Sequence, residues 1–205
     1  MSYYIEATGL KVFDELLRQL GQNVEPSASD AINETAVFAR RLGSQEIRQR
    51  INFTAKYIDG GRLAITRRAK PADLEAVVTG RDRATSLARF AQGSPRFGRQ
   101  RTPPRVRVKA SGGASPIRNG FWMRLKRGNA VVSAENANIG LAIRLAEGER
   151  VKNKNEMSPI GGNLYLLYGP SVGQVYRTVA GKTLDEVAAQ LENRFAHHLG
   201  RRIDG

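Results

Sequence analysis

The stretch Leu164–Val179, LYLLYGPSVGQVYRTV, constrains this chain more than any other. Large apolar and aromatic residues run unbroken from Leu164 to Tyr168 and stop at Gly169-Pro170. Such a run, bounded by Gly-Pro, reads as a buried strand. Pro170 has no N–H to give to a ladder, so the strand ends there. Ser171 is placed to cap a helix, and Val172, Val175, Tyr176 and Val179 recur at helical spacing. Strand, tight corner and helix therefore follow in one short segment. If Gly169 holds a backbone conformation closed to β-branched residues, the corner fixes how the C-terminal helices pack.

The rest of the chain sorts around this unit. Ala7–Leu20 reads as a helix, with Leu10, Phe13, Leu17 and Leu20 on one face and Gly21 as its C-cap. Gln22–Ser29 reads as a polar connector holding Pro26. A second helix is expected from Ser29 or Asp30, with a stripe of Ile32, Ala36, Ala39, Ile47 and Ile51. Arg40, Arg41, Arg48 and Arg50 read as its solvated face. Arg62–Arg68 and Leu74–Thr79 are strand candidates separated by a turn at Pro71-Ala72-Asp73, and so a hairpin. Ala84–Phe90 fits a strand or a short helix equally well.

Ala91–Pro104 has three prolines, two glycines and three arginines, and no periodicity. It reads as an exposed arm or a long loop, reaching to about residue 119. Arg105–Ala110 alternates Val106, Val108 and Ala110 against Arg105, Arg107 and Lys109, as in a half-buried strand with a basic outer face. Ser111–Pro116 reads as a loop, and Phe121–Leu125, with the only Trp, as a strand. A turn at Arg127–Asn129 would let Ala130–Val132 pair back. Ile139–Leu145 alternates large and small residues as a strand, and Glu147–Gly162 reads as a loop. Thr183 begins the last helix with a capping box to Glu186; Leu184, Val187, Ala188, Leu191 and Phe195 form its stripe, and Gly200 ends it. Helices, then strands, then a helix point to an α+β fold in a single domain over residues 1–205, with a mainly antiparallel sheet and an extended basic arm.

Charge is distributed unevenly. Residues 62–127 hold 17 Lys/Arg against three acids, Asp73, Glu75 and Asp82, while the remainder holds 16 of each sign. A block of this kind needs polyanionic or acidic neighbours, or open solvent. Three readings follow. Arg96, Arg99, Arg101, Arg105, Arg107 and Lys109 contact phosphates, with Phe97 stacking on a base. Alternatively, the arm orders on an acidic neighbouring protein, reached because Pro95, Pro103 and Pro104 hold it extended. Or it only solubilises.

Cysteine is absent, which removes disulfides and thiolate metal sites. His197 and His198 are adjacent, and side chains adjacent on a helix diverge. No phosphate-binding loop, dinucleotide fingerprint, nucleophile elbow or zinc-protease motif occurs. No catalytic residue, metal or cofactor is expected, and neither a signal peptide nor a membrane span.

Tyr168, Gly169, Pro170, Ser171 and Val172 resemble the C-terminal signature of the prophage minor tail protein Z family, the tail-completion proteins of lambda-like siphophages. Further segments resemble that family in its own order: Ala36–Arg41, Ile51–Ile58, Leu63–Ala69, Leu87–Phe90, Val106–Gly113, Gly120–Leu125, Leu141–Arg144 and Pro159-Ile160. They cover most of residues 30–179. The loops Ala91–Pro104 and Asn153–Asn163 are longer than the family pattern. The resemblance implies a non-enzymatic virion protein at the head-proximal end of the tail, made in the host cytoplasm. It implies a ring, sixfold by analogy, around genomic DNA, flanked by a tail terminator and a head–tail connector. The alternative is a basic cytoplasmic nucleic-acid-binding protein.

Overall fold

The computed structural model describes residues 11–98, 102–125, 138–146, 149 and 156–204. In chain order these form α1 (Lys11–Arg50), α2 (Ala55–Asp59), β1 (Leu63–Arg67), β2 (Val77–Gly80), β3 (Thr85–Ser86) and a 3₁₀ turn at Leu87–Phe90. There follow β4 (Arg105–Val106), β5 (Ser115–Pro116), β6 (Gly120–Leu125), β7 (Asn138–Arg144), β8 (Met157–Gly161) and β9 (Leu164–Gly169). The chain closes with α3 (Val172–Ala180), a 3₁₀ turn at Gly181–Thr183 and α4 (Leu184–Asp204). The fold is α+β, with antiparallel pairing in its sheets. The expected turn and strand at 127–132 and the helix start at 7–10 lie outside the described residues.

The chain gathers into two compact units. One takes in α1 as far as Leu42, Ala64–Thr79 and the chain from Lys182; the other takes in Gly43–Leu63 and Gly80–Gly181.

In the first unit the expected connector at Gln22–Ser29 is helix, so α1 is continuous through Gly21 and Pro26. Pro26 leaves the carbonyl four residues back without its donor, but that residue, Gln22, is exposed to water. The gain comes from α4. Asp30 pairs with Arg202 at 2.6 Å, and Glu34 meets Arg194 at 3.4 Å and His198 at 3.2 Å. Asn23 donates to the Arg202 carbonyl at 3.2 Å. These contacts also carry α4 past Gly200, the expected stop, to Asp204. A mid-helix glycine costs only about 1 kcal/mol against alanine, which such contacts offset. Between α1 and the strands, the Asn33 side chain donates to the Ala69 carbonyl and accepts from its N–H, both at 2.9 Å. β1 and β2 pair as the expected hairpin, and Arg67 on β1 meets Asp73 and Glu75 across it. The α4 stripe does not enter a core: Leu184 is 63% exposed and Leu191 36%.

The second unit is built on β9, which pairs antiparallel with β3, β7 and β8, while β7 pairs with β6. β8 replaces part of the loop expected at 147–162. Its hairpin with β9 turns at Gly162-Asn163, where Gly161 (φ 131°) and Gly162 (φ 55°) take a backbone that side chains disfavour. β7 buries Leu141 and, on its other face, Ala142, so it is covered on both sides. Ala84–Phe90 resolves its ambiguity by being both, strand β3 and then a 3₁₀ turn.

Only Arg105 and Val106 of the expected strand 105–110 join a ladder, with β5. The rest lies along the end of α1: Asn52 N–H donates to the Val108 carbonyl at 2.8 Å and Ala110 N–H to the Arg50 carbonyl at 2.9 Å.

At the corner, Ser171 Oγ accepts from Gln174 N–H, and Gln174 Oε1 accepts from Ser171 N–H, both at 2.9 Å. Such a cap stabilises a helix by about 0.5–2 kcal/mol. Val172, Val175 and Val179 are buried beneath it. Gly173 N–H donates to the Arg81 carbonyl at 3.0 Å. A Cβ on Gly80 would lie 2.7 Å from Gly173 Cα, so the end of β2 and the first turn of α3 touch backbone to backbone. Gly169 is not left-handed, contrary to expectation. Its constraint is steric instead: a Cβ there would lie 2.9 Å from Phe90 Cε2. Phe90 is 1% exposed and packs on Phe53 at 5.2 Å between ring centroids, so the ring has no room to yield.

Gly169→Val is therefore expected to lower unfolding free energy by about 1–3 kcal/mol through overpacking. A urea midpoint equal to that of the parent chain would show that the Phe90 ring moves aside. A second expectation concerns alkali. Burial pushes the Tyr176 phenol above its ordinary range, because the charged form is poorly solvated there. Its contribution is complete below the unfolded phenol's pKa of about 10 and falls as pH rises through the higher folded value. Tyr176→Phe should flatten the decline of stability above about pH 10; identical slopes in parent and variant would refute this.

Candidate functional site

The second unit places four arginines around one open cleft. Arg62 follows α2, Arg81 and Arg83 lie in the link from β2 to β3, and Arg89 lies in the 3₁₀ turn. Backbone bonds fix their spacing. Arg81 N–H donates to the Arg62 carbonyl at 2.8 Å, and the Arg81 carbonyl is held by α3. Tyr57 forms part of the wall, with the Arg62 and Arg89 guanidiniums 4.1 and 4.0 Å from its ring centroid. Such contacts contribute about 0.5–1 kcal/mol each at exposed sites. The Tyr57 hydroxyl is 3.2 Å from Thr85 Oγ1, and Arg62 Nη1 donates to the Tyr57 and Gly60 carbonyls. The cleft measures about 530 Å³ and reaches the sheet at Trp122, Ile139 and Tyr168.

Among the described residues no carboxylate lines it. Asp82, the acid nearest in sequence, is held by Arg177 at 2.7 Å, beside the first turn of α3. Among the described residues none of the four cleft arginines has a carboxylate partner. Four like charges in one cleft raise each other's energy and concentrate anions from solution.

The residues expected at the basic arm divide. Arg96 and Arg105 line one hollow of about 620 Å³ together with Phe97 and Pro103, and this hollow shares Trp122 with the cleft. Arg105 also donates to the Ala114 carbonyl at 2.7 Å. The segment behaves as a loop at its base: Gln92 N–H donates to the Arg105 carbonyl and Arg107 N–H to the Phe90 carbonyl, each at 2.8 Å. Phe97 has the Arg124 guanidinium 4.7 Å from its ring centroid. Lys109 is exposed and bridges Ile51 through the backbone. Arg107 is not on an outer basic face. It is half-buried against Asn52, with Nε enclosed. Arg99 and Arg101 lie outside the described residues. Tyr168, Gly169 and Pro170 line a third hollow, with Asp82 and Glu156, and Ser171 and Val172 are buried.

The cleft escaped the reading of the sequence because its arginines sit singly among apolar and turn residues. The one available signal was the charge excess, which begins at Arg62 rather than at Arg96. Among the described residues, no group of three or more His, Asp or Glu is placed to hold a metal ion. Among the same residues, no helix is long and apolar enough to cross a membrane. Comparison with protein-family models, curated proteins and solved structures returns no match to this chain.

Arg96→Ser and Arg105→Ser, at exposed sites, should each change unfolding free energy by no more than about 0.5 kcal/mol. Arg107→Ser should cost about 1–2 kcal/mol, because it removes a partly enclosed stem and a partner of Asn52. Equal urea midpoints for all three variants would place Arg107 back on the surface.

Proposed function

We propose that this chain is a structural subunit of a tailed-bacteriophage virion, a tail-completion or neck protein at the head-proximal end of the tail. It is needed for head–tail joining. The observation that carries this reading is the open face of α4, where Leu184 and Leu191 stand in solvent along a stripe patterned for burial. Apolar surface of that kind suits a subunit that completes its packing on a neighbour. The ordered resemblance to minor tail protein Z proteins supplies the assembly. Its neighbours are further copies in a ring, sixfold by analogy, with a tail terminator and a head–tail connector beyond it. Ring contacts are heterologous, joining two different faces of the same chain. The role is mechanical and calls for no reaction, metal or cofactor. The subunit is made in the host cytoplasm and retained in the virion, with genomic DNA crossing the ring.

A second reading, a basic cytoplasmic nucleic-acid-binding protein, is favoured by the arginine cleft. A ring seen by light scattering and electron microscopy favours the first reading, and a monomer acting alone on nucleic acid favours the second.

Particles assembled without this protein should appear in negative stain as filled heads beside complete, separate tails. Joined, infectious particles in normal yield would reject the virion role.

A further inference from the structure

We infer that the cleft of Arg62, Arg81, Arg83 and Arg89 is a binding site for the phosphodiester backbone of nucleic acid. The inference holds under either functional reading, because it concerns the chemistry of the cleft and not the assembly that carries it. Four guanidiniums share one open cleft with no acid among the described residues of its walls, and Asp82 is engaged by Arg177. Arg81 and Arg83 are exposed. The planar donor fork of arginine matches phosphate oxygens two at a time. A protein carboxylate brings one charge, whereas a nucleic-acid strand brings one about every 3.4 Å, so several arginines are neutralised together.

The aromatic groups argue for backbone contact over base stacking. Tyr57 already carries two guanidiniums on its ring, and its hydroxyl is taken up by Thr85. Trp122 is only 7% exposed. Neither offers a free face to an unpaired base, so recognition is independent of sequence and governed by salt. The neighbouring hollow, with Arg96 and Arg105, extends the same basic surface past Trp122.

The test uses the purified full chain with a labelled mixed-sequence DNA duplex and the matching single strand, titrated across a range of salt. Arg81→Ser/Arg83→Ser should weaken duplex binding about tenfold or more at low salt, and flatten the salt slope by up to about 1.8. For the single strand the slope should flatten by up to about 1.4. Arg83→Ser alone should show about half of either change. Arg81→Lys/Arg83→Lys should keep most of the affinity, since the charge remains. The charge-matched control Arg68→Ser/Arg201→Ser removes two exposed arginines from the other unit and should change neither affinity nor slope appreciably. A larger effect on one DNA form identifies which backbone the cleft accepts. Equal losses in control and cleft variants would overturn the proposal in favour of diffuse charge. So would competition by poly-glutamate as effective as that by unlabelled duplex, which would make the cleft a dock for an acidic protein. Absence of binding by the parent chain at low salt would also overturn it.

Discussion

The contact of Gly169 with the Phe90 ring governs the second unit. It lets the chain turn from β9 into α3 directly over a packed aromatic pair, Phe90 on Phe53. Ser171 then closes the helix start, and Val172, Val175 and Val179 fall onto the core. The same turn brings Gly173 against Gly80 and holds the Arg81 carbonyl. The link that carries Arg81 and Arg83 is thereby pinned to the rigid end of a helix. A side chain at either glycine would push backbone against backbone, so the steric requirement of the fold and the placement of the charged cleft have one origin.

The first unit is organised differently. The described contacts between α1 and α4 are largely ion pairs with side chains more than a third exposed on at least one partner. Pairs of that kind contribute about 0–1 kcal/mol each. They set the register of the two helices more than they stabilise it. Of the apolar stripe of α4, Leu184 and Leu191 stay exposed while Val187 and Phe195 are half-buried, and the exposed pair is the basis for proposing that the chain is a subunit.

The charge block has a corresponding division of labour. Arg67 is spent within the β1–β2 hairpin on Asp73 and Glu75, and Arg177 on Asp82. Arg107 serves packing beside Asn52. Among the described residues, the cleft arginines have no carboxylate partner, nor does the exposed Arg96 on the loop. A count of charges along the chain cannot separate these roles, because each depends on which acids the fold brings near.

What the sequence by itself determined is what local chemistry settles. The apolar run of β9 stops at Gly169, Ser171 caps α3, the valines of α3 face inward, and β1 and β2 pair across a short turn. Each depends on residues within one or two turns of one another. The tertiary structure alone decided the continuity of α1 through Pro26, where contacts with α4 outweigh a poor local propensity. It also decided β8, whose unpatterned residues Met157–Gly161 are strand because β9 offers an edge, although the Gly162-Asn163 turn was a legible hint. The cleft belongs to this second class: Arg62 and Arg89 lie far apart in sequence and meet on Tyr57 only after folding. Periodicity reports what a segment can bury, and only the packed chain reports what remains for it to be buried against.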